Sequence, residues 1–90
     1  MPRLPRPFTC HVSNWTSDEF TRGCYAYISS HGSPEDIISV AEPLYRTSSN
    51  VPRVLFAGEA TSVDQHSTMN GAFISGLREA ERIKNVIENF

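Results

Sequence analysis

Two stretches of this 90-residue chain combine glycine, small residues and polar side chains in an order that suits binding of a negatively charged ligand. In the first, Gly58-Glu59 directly follows the apolar run Val54-Leu55-Phe56-Ala57. Such a run predicts a strand buried on both faces, and open α/β sheets bind ligands at the carboxyl ends of such strands. In the second, a predicted helix begins Ser67-Thr68-Met-Asn-Gly-Ala. We therefore expect both stretches to lie at one ligand site.

The start of the predicted helix has the chemistry of an anion site. A helix N-terminus exposes unpaired N–H groups and about half a positive charge, and here no acidic residue occupies the first turn. Gly71 and Ala72 remove bulk, so a ligand can approach the backbone; a reduced flavin, which gathers negative charge at one ring edge, fits this description. The alternative is that these two small residues only allow the helix to pack tightly on the sheet.

Periodicity predicts the helix that positions the second stretch. From Thr68 onward apolar residues recur at steps of three and four, which predicts about twenty helical residues with Ser67 or Thr68 as the cap. The predicted apolar stripe consists of Met69, Ala72, Phe73, Leu77, Ala80, Ile83, Ile87 and Phe90. The charged residues mostly on the other side are Arg78, Glu81, Arg82, Lys84 and Glu88.

Upstream elements are predicted from alternation and capping. Residues 8–15 alternate apolar and polar side chains, which predicts a strand, and residues 24–28 form a short extended piece within a loop. Ser33-Pro34-Glu35-Asp36 is a strong helix start, and that helix should run to about Glu42. Residues 47–52 read as a polar surface loop. The order of elements indicates an α/β chain.

Composition excludes several classes of function. A net charge of −2 argues against a nucleic-acid surface, and no apolar run is long enough for a membrane span. Cys10 and Cys24 are too few for a disulfide framework, so we expect reduced thiols and a cytoplasmic location, with peroxisome and nucleus remaining open. The three histidines are scattered singly, and we expect no metal site.

Two separated motifs resemble one family. Residues 56–61 (Phe-Ala-Gly-Glu-Ala-Thr), followed after six residues by residues 68–80, are similar to the C-terminal signature of flavin-containing amine oxidases. This family includes polyamine, spermine and monoamine oxidases and flavin-dependent histone lysine demethylases. Residues 15–27 resemble its Trp…Arg-Gly-Ser-Tyr block, and residues 36–44 resemble its connecting helix. The resemblance covers residues 5–87.

The resemblance implies the fold and the domain division. We expect the C-terminal fragment of a two-domain, Rossmann-like FAD-binding enzyme, with residues 1–32 on the substrate-domain side and residues 33–90 in the FAD-binding domain. No two of the five glycines are spaced Gly-x-Gly, so the family's dinucleotide turn is absent from this sequence. The family's active-site lysine falls outside the segment, and Lys84 reads as a surface charge. We therefore expect no catalytic residue here.

The resemblance also assigns binding roles. Glu59 would contact FAD near its ribityl–pyrophosphate part, and Tyr25 would form one side of the aromatic cage that the substrate amine passes. The implied cofactor-binding residues are Gly58, Glu59, Thr68, Met69, Ala72, Trp15, Phe20 and Cys24. The implied substrate-binding residues are Tyr25 and Thr68.

Two departures from the family pattern bear on these roles. Thr68 stands where monoamine oxidases have tyrosine, which is closer to the animal polyamine oxidases. Cys24 stands where polyamine oxidases usually have serine and where monoamine oxidases have a cysteine bonded to the flavin. We favour a thiol that replaces serine beside a non-covalent FAD, and a covalent link through Cys24 is the alternative.

The implied function is that of an FAD-dependent amine oxidase of polyamine type, which oxidises a C–N bond by hydride transfer to flavin and forms hydrogen peroxide. Its partners would be a small-molecule amine, oxygen and the remainder of the FAD and substrate domains. The 90 residues alone are expected to be inactive. Two alternatives stay open: a non-catalytic truncated chain or interaction module, and a segment of a histone lysine demethylase.

Overall fold

A computed structural model describes residues 1–89 as a small α/β structure. The elements are helix α1 (Pro34–Ala41), strand β1 (Leu44–Tyr45), strand β2 (Pro52–Val54), a 3₁₀ turn (Glu59–Thr61) and helix α2 (Met69–Glu88). The chain measures 70 × 32 × 25 Å, with a radius of gyration of 19.3 Å. A compact chain of this length would have a radius of gyration of about 12 Å. Much of the chain therefore extends away from its packed part.

Helix α1 forms where its capping residues predict it. Ser33 is the N-cap, its backbone N–H donates to Asp36 Oδ2 at 2.8 Å, and Pro34 occupies the first helical position. The helix ends at Ala41, one residue before the predicted end. Among the described residues, the buried apolar side chains are those of Ile37, Ala41 and Pro43. The apolar core is therefore very small.

The two strands form an antiparallel pair. Leu44 pairs with Val54 and Tyr45 with Pro52, with an irregularity between them. The predicted buried strand over residues 54–57 is wrong, because only Val54 belongs to a strand, and both Val54 and Phe56 are exposed. A strand buried on both faces needs neighbouring strands and covering helices, and the described residues supply one short partner. Residues 47–51 form the predicted loop, which ends one residue early because Pro52 begins β2.

Residues 1–33 form turns and irregular backbone without a helix or strand. The predicted strand over residues 8–15 is wrong: Phe8 is 99% exposed and Val12 is 79% exposed. Residues 24–28, predicted as a short extended piece within a loop, lie in irregular backbone. Strands need a neighbour that accepts and donates backbone hydrogen bonds, and none of the described elements lies beside these residues as a partner.

Helix α2 has the predicted length of 20 residues, and Thr68 is its N-cap. Its buried residues are not those of the apolar stripe but Gly71, Ser75 and Glu79, which share another face. The described stripe residues are exposed, and Phe90 lies outside the described residues. Lys84 is exposed, as predicted. No helix within residues 1–89 is both long and apolar enough to cross a membrane.

A polar cluster holds the buried face of α2 in place. Glu79, 5% exposed, accepts from Arg78 Nε at 2.6 Å and from an Arg82 terminal nitrogen at 3.0 Å. Arg78 also donates to the carbonyl oxygens of Thr61 at 2.8 Å and Phe56 at 2.9 Å. Arg82 donates to the carbonyl of Ala41 at 3.3 Å. These contacts join α2 to both other parts of the packed region, α1 and the segment around the 3₁₀ turn.

Candidate functional site

Gly58 turns the chain from the end of β2 into the 3₁₀ turn. Its φ of +146° lies in a region that favours glycine, although an added Cβ would meet nothing within 4 Å. The backbone N–H of Gly58 donates to Ser75 Oγ at 2.8 Å, and its carbonyl accepts from Thr61 Oγ1 at 2.8 Å. The conformation of this glycine, rather than a need for space, therefore places Glu59 at the start of the turn.

The Glu59 carboxylate joins two segments that are far apart in sequence. One oxygen accepts the backbone N–H of Ala26 at 2.8 Å, and the other accepts the backbone N–H of Ser67 at 2.7 Å. Ala26 follows Tyr25, and Ser67 precedes Thr68. The neighbours of two predicted site residues, Tyr25 and Thr68, therefore bind the two oxygens of one carboxylate. Backbone N–H donors suit a carboxylate, since they are charge-assisted hydrogen bonds.

Ser67 completes this junction. Its φ of +67° is a left-handed conformation that residues other than glycine rarely adopt. The Ser67 hydroxyl donates to the carbonyl oxygen of Ala26. Ser67 therefore contacts Ala26 directly through its side chain and indirectly through Glu59.

Thr68 caps α2 as the sequence predicts. Its Oγ1 accepts the backbone N–H of Gly71 at 2.9 Å and donates to the carbonyl of Gln65 at 2.6 Å. The first turn contains no acidic residue, but the Glu59 carboxylate binds the backbone N–H of Ser67, the residue before the cap. The helix start thus keeps part of its positive potential while its third N–H is satisfied by the cap.

The two small residues of the first turn behave differently. A Cβ added at Gly71 would lie 2.0 Å from the Gln65 carbonyl oxygen, so the loop occupies the space that the missing side chain leaves. For Gly71 the tight-packing explanation is therefore correct, with the loop rather than the sheet as its neighbour. Ala72 is exposed, and Met69 is 92% exposed. The side of the turn that carries Met69 and Ala72 is open.

Cys24, Tyr25 and Glu59 line one open pocket of about 280 Å³. The residues that complete its lining are Thr21, Arg22, Gly23, Ala26 and Ala60. Cys24 is a free, exposed thiol, and the Tyr25 side chain is exposed. The pocket therefore presents an aromatic face and a thiol beside the carboxylate.

Trp15 and Phe20 are not brought to this pocket. They lie in a turn centred on Asp18, whose Oδ1 accepts the backbone N–H of Phe20 at 2.8 Å, and both rings are exposed. Trp15 lines a separate shallow depression with its neighbours in sequence. The structure thus assembles part of the predicted set and leaves these two aromatic residues apart.

Sequence reasoning placed Ser67 in the second stretch and offered it as a cap, but it missed the contacts of Ser67 with Glu59 and Ala26 and the buried cluster around Glu79. Nothing in the sequence marks the left-handed backbone of Ser67. The cluster has a faint signal: Gly71, Ser75 and Glu79 follow one another at steps of four, which places small and polar residues on one helical face.

The amino-acid sequence matches the family model described as flavin containing amine oxidoreductase over residues 1–84. The chain is 41% identical over 83 residues to the peroxisomal N(1)-acetyl-spermine/spermidine oxidase of Homo sapiens, which covers 91% of this chain and 16% of that protein. It is 40% identical over 92 aligned residues to polyamine oxidase 1 of Oryza sativa subsp. japonica, and this alignment covers 92% of this chain and 18% of that protein. It is 41% identical over 83 residues to lysine-specific histone demethylase 1 homolog 1 of Arabidopsis thaliana, and this alignment covers 92% of this chain and 9% of that protein.

The chain spans less than a fifth of the length of each of these relatives. The matched region includes both motifs that carry the family resemblance and every residue of the Glu59 junction. Since the family model matches residues 1–84, the chain belongs to the family of flavin-containing amine oxidoreductases.

Proposed function

We propose that this chain is the C-terminal part of an FAD-dependent amine oxidase of polyamine type and forms one wall of its flavin site. The observation that carries the proposal is the Glu59 junction. It brings the segment with Cys24 and Tyr25 against the start of α2. These are the residues to which the family resemblance assigns contacts with flavin and amine. When bound, FAD supplies the acceptor for a hydride from the carbon beside the amine nitrogen and passes the electrons to oxygen, which becomes hydrogen peroxide.

The open start of α2 is suited to the flavin ring. Met69 and Ala72 are exposed there, and the first turn carries no acidic residue. The Thr68 hydroxyl is engaged by Gln65 and Gly71, so contact with the ring falls to the backbone and methyl group of Thr68. Partial positive charge at this helix end favours a ring edge that becomes anionic on reduction.

The remaining cofactor contacts surround the Glu59 turn. Each Glu59 oxygen keeps a lone pair beyond its backbone hydrogen bond, which allows it to accept a hydrogen bond from a hydroxyl group of the ribityl chain. Gly58 lets the backbone approach the cofactor at the same turn. Trp15 and Phe20 pack beside the flavin once the rest of the protein positions their segment.

Tyr25 provides a face for the substrate amine. Tyr25 lines the pocket with Glu59 and its ring is exposed, so a protonated or desolvated amine can stack against the ring. Replacing Tyr25 with Ala in the full-length protein should raise KM for the amine about tenfold, the size of one good cation–π contact. Tyr25→Phe keeps the ring and should change KM little. Tyr27→Ala removes the neighbouring exposed ring and is the matched control.

The rest of the parent enzyme completes the site in this proposal. Residues 1–32 belong to the substrate-domain side and residues 33–90 to a Rossmann-like FAD-binding domain. The pocket is open, and one wall does not offset the cost of immobilising a large cofactor. We therefore expect the 90-residue chain with added FAD to keep no flavin absorbance after gel filtration. Retained absorbance would contradict this part of the proposal.

Substrate oxidation by the full-length protein is the direct test. We expect hydrogen peroxide from spermine or an acetylated polyamine in a peroxidase-coupled assay, together with anaerobic bleaching of the flavin spectrum. A protein that binds no flavin, or that oxidises no polyamine, monoamine or methylated peptide, would contradict the proposal. The non-catalytic alternative predicts that result.

A demethylase segment is the second candidate, since a histone demethylase homologue is as similar to this chain as the polyamine oxidases are. The same assay separates the two functions when a methylated histone-tail peptide is included. Peroxide from the peptide and none from polyamines would favour the demethylase.

We propose that the flavin is held without a covalent bond and that the Cys24 thiol replaces a serine hydroxyl. Cys24 lines the pocket with Glu59, so its position is compatible with either form. Acid precipitation of the full-length protein should leave all yellow colour in the supernatant. Colour in the protein pellet that disappears in Cys24→Ser would establish the covalent link instead.

A further inference from the structure

Ser67 joins the two sides of the proposed amine passage. Its side chain binds the carbonyl of Ala26, next to Tyr25, and its own backbone leads directly into Thr68. We propose that Ser67 is a positioning residue that fixes the separation between Tyr25 and Thr68, and with it the width of the passage. This role rests on the proposed function, because it assumes that an amine passes between these residues.

The contacts of Ser67 form a closed ring of hydrogen bonds. The Ser67 N–H donates to Glu59 Oε2 at 2.7 Å, the Ala26 N–H donates to Glu59 Oε1 at 2.8 Å, and the Ser67 hydroxyl donates to the Ala26 carbonyl. Both backbone groups of Ala26 are therefore engaged. A ring of this kind restricts the segment before α2 and the Tyr25 segment relative to each other, in distance and in orientation.

The left-handed backbone of Ser67 indicates that the ring is maintained against a local cost. A serine at φ +67° is strained, and such residues persist where their surroundings over-determine them. Here the surroundings are the Glu59 carboxylate and the Ala26 carbonyl.

Neither side of the passage is held by packing of its own side chain. The Tyr25 ring is exposed, and the Thr68 hydroxyl is used in capping α2. The positions of both residues therefore depend on their neighbours in the chain, and these neighbours are joined by the Ser67 hydroxyl, the Ala26 carbonyl and the Glu59 carboxylate. A change at Ser67 should alter how an amine is held without removing any group that touches it.

Ser67→Gly in the full-length holoenzyme separates the hydroxyl tether from the backbone conformation. Glycine adopts positive φ without strain and keeps the N–H bond to Glu59, so only the bond to Ala26 is lost. We expect KM for the amine to rise about tenfold, as for the loss of one positioning hydrogen bond, with flavin content unchanged. The difference in kcat/KM between a slender amine and a bulky amine should become smaller. Ser48→Gly, at an exposed turn outside the site, is the matched control.

Two measurements decide the outcome. Hydrogen exchange of the peptide covering residues 24–28 should accelerate in Ser67→Gly, which reports loss of the tether independently of turnover. Unchanged exchange, or kcat/KM and amine selectivity within about twofold of wild type, would overturn the inference while leaving the proposed function intact. Loss of flavin at unchanged KM would also overturn it, since that pattern marks a purely structural role. A wild-type holoenzyme that oxidises no amine would overturn the proposed function and this role with it.

Discussion

The two faces of helix α2 differ in a way that apolar periodicity does not anticipate. The face that packs within this chain is small and polar, with Ser75 fully buried and Glu79 5% exposed. The apolar face is open, with Phe73 66% exposed and Ile87 67% exposed. The polar face positions the site through directional hydrogen bonds. The apolar face has the character of a surface that the rest of a larger protein covers.

The largest effect should come from the polar face. Glu79→Ala leaves the guanidinium groups of Arg78 and Arg82 without their carboxylate, and removing one partner of a buried ion cluster costs about 3 kcal/mol of unfolding free energy. The figure is at the low end of the usual range because both arginines are partly exposed. Urea unfolding of the full-length protein measures it. Glu81→Ala, on an exposed position, should change stability by less than about 0.5 kcal/mol.

Leu77→Ala in the full-length protein tests the apolar face. If that face is covered by the rest of the enzyme, loss of the isobutyl group should cost about 2 to 3 kcal/mol. If the face is open to water in the full-length protein, as it is in residues 1–89, the loss of unfolding free energy should stay within about 0.5 kcal/mol, as for other exposed substitutions. Lys84→Ala, also exposed, is the control for helix propensity. Equal, small effects of both changes would mean that the two faces differ only in composition.

Gly71→Ala tests how closely the polar face approaches the loop before α2. The added methyl group would lie 2.0 Å from the Gln65 carbonyl oxygen, so the loop must move. We expect a loss of about 2 kcal/mol, typical of overpacking, and weaker flavin binding in the full-length protein. Gly32→Ala is the control, since its nearest neighbours lie at an ordinary 3.4 Å. Equal melting temperatures for Gly71→Ala and wild type would show that the loop yields freely.

The smallest effect should come from the cap at the start of α2, where both faces begin. Thr68→Ala removes the acceptor for the Gly71 N–H and should cost about 1 kcal/mol. Thr68→Ser keeps that acceptor and should restore most of the loss. Thermal unfolding of both variants provides the comparison. A serine variant as unstable as the alanine variant would assign the loss to the methyl group rather than to the cap.

Local signals predicted the helices well. The Ser33-Pro34 signal marks the observed start of α1, and the predicted end at Glu42 lies one residue beyond the observed end. Thr68 is the cap of α2. Both signals depend on hydrogen bonds made within a few residues. The strands at 8–15 and 54–57 could not be predicted in the same way, because a strand forms only beside a partner: residues 8–15 have none within the described residues, and of residues 54–57 only Val54 pairs, with Leu44.

The site was predictable in part for the same reason. Glu59 follows the Gly58 turn, so its place near the start of α2 could be expected from the order of elements. Its bond to Ala26, 33 residues earlier in the chain, could not, because no sequence pattern encodes that approach. The apolar stripe of α2 was also correctly identified, but periodicity reports which face is most hydrophobic and not which partner covers it.

Arg78 has a consequence for how this region loses its structure. Its guanidinium binds the backbone after β2, the 3₁₀ turn and the Glu79 carboxylate at once. A planar group with five donors can do this, whereas a lysine ammonium cannot satisfy the same directions. We therefore expect the Gly58 turn and the middle of α2 to behave as one cooperative unit, which opens as a whole or stays closed. A cofactor bound there would be released in a single step rather than through gradual loosening.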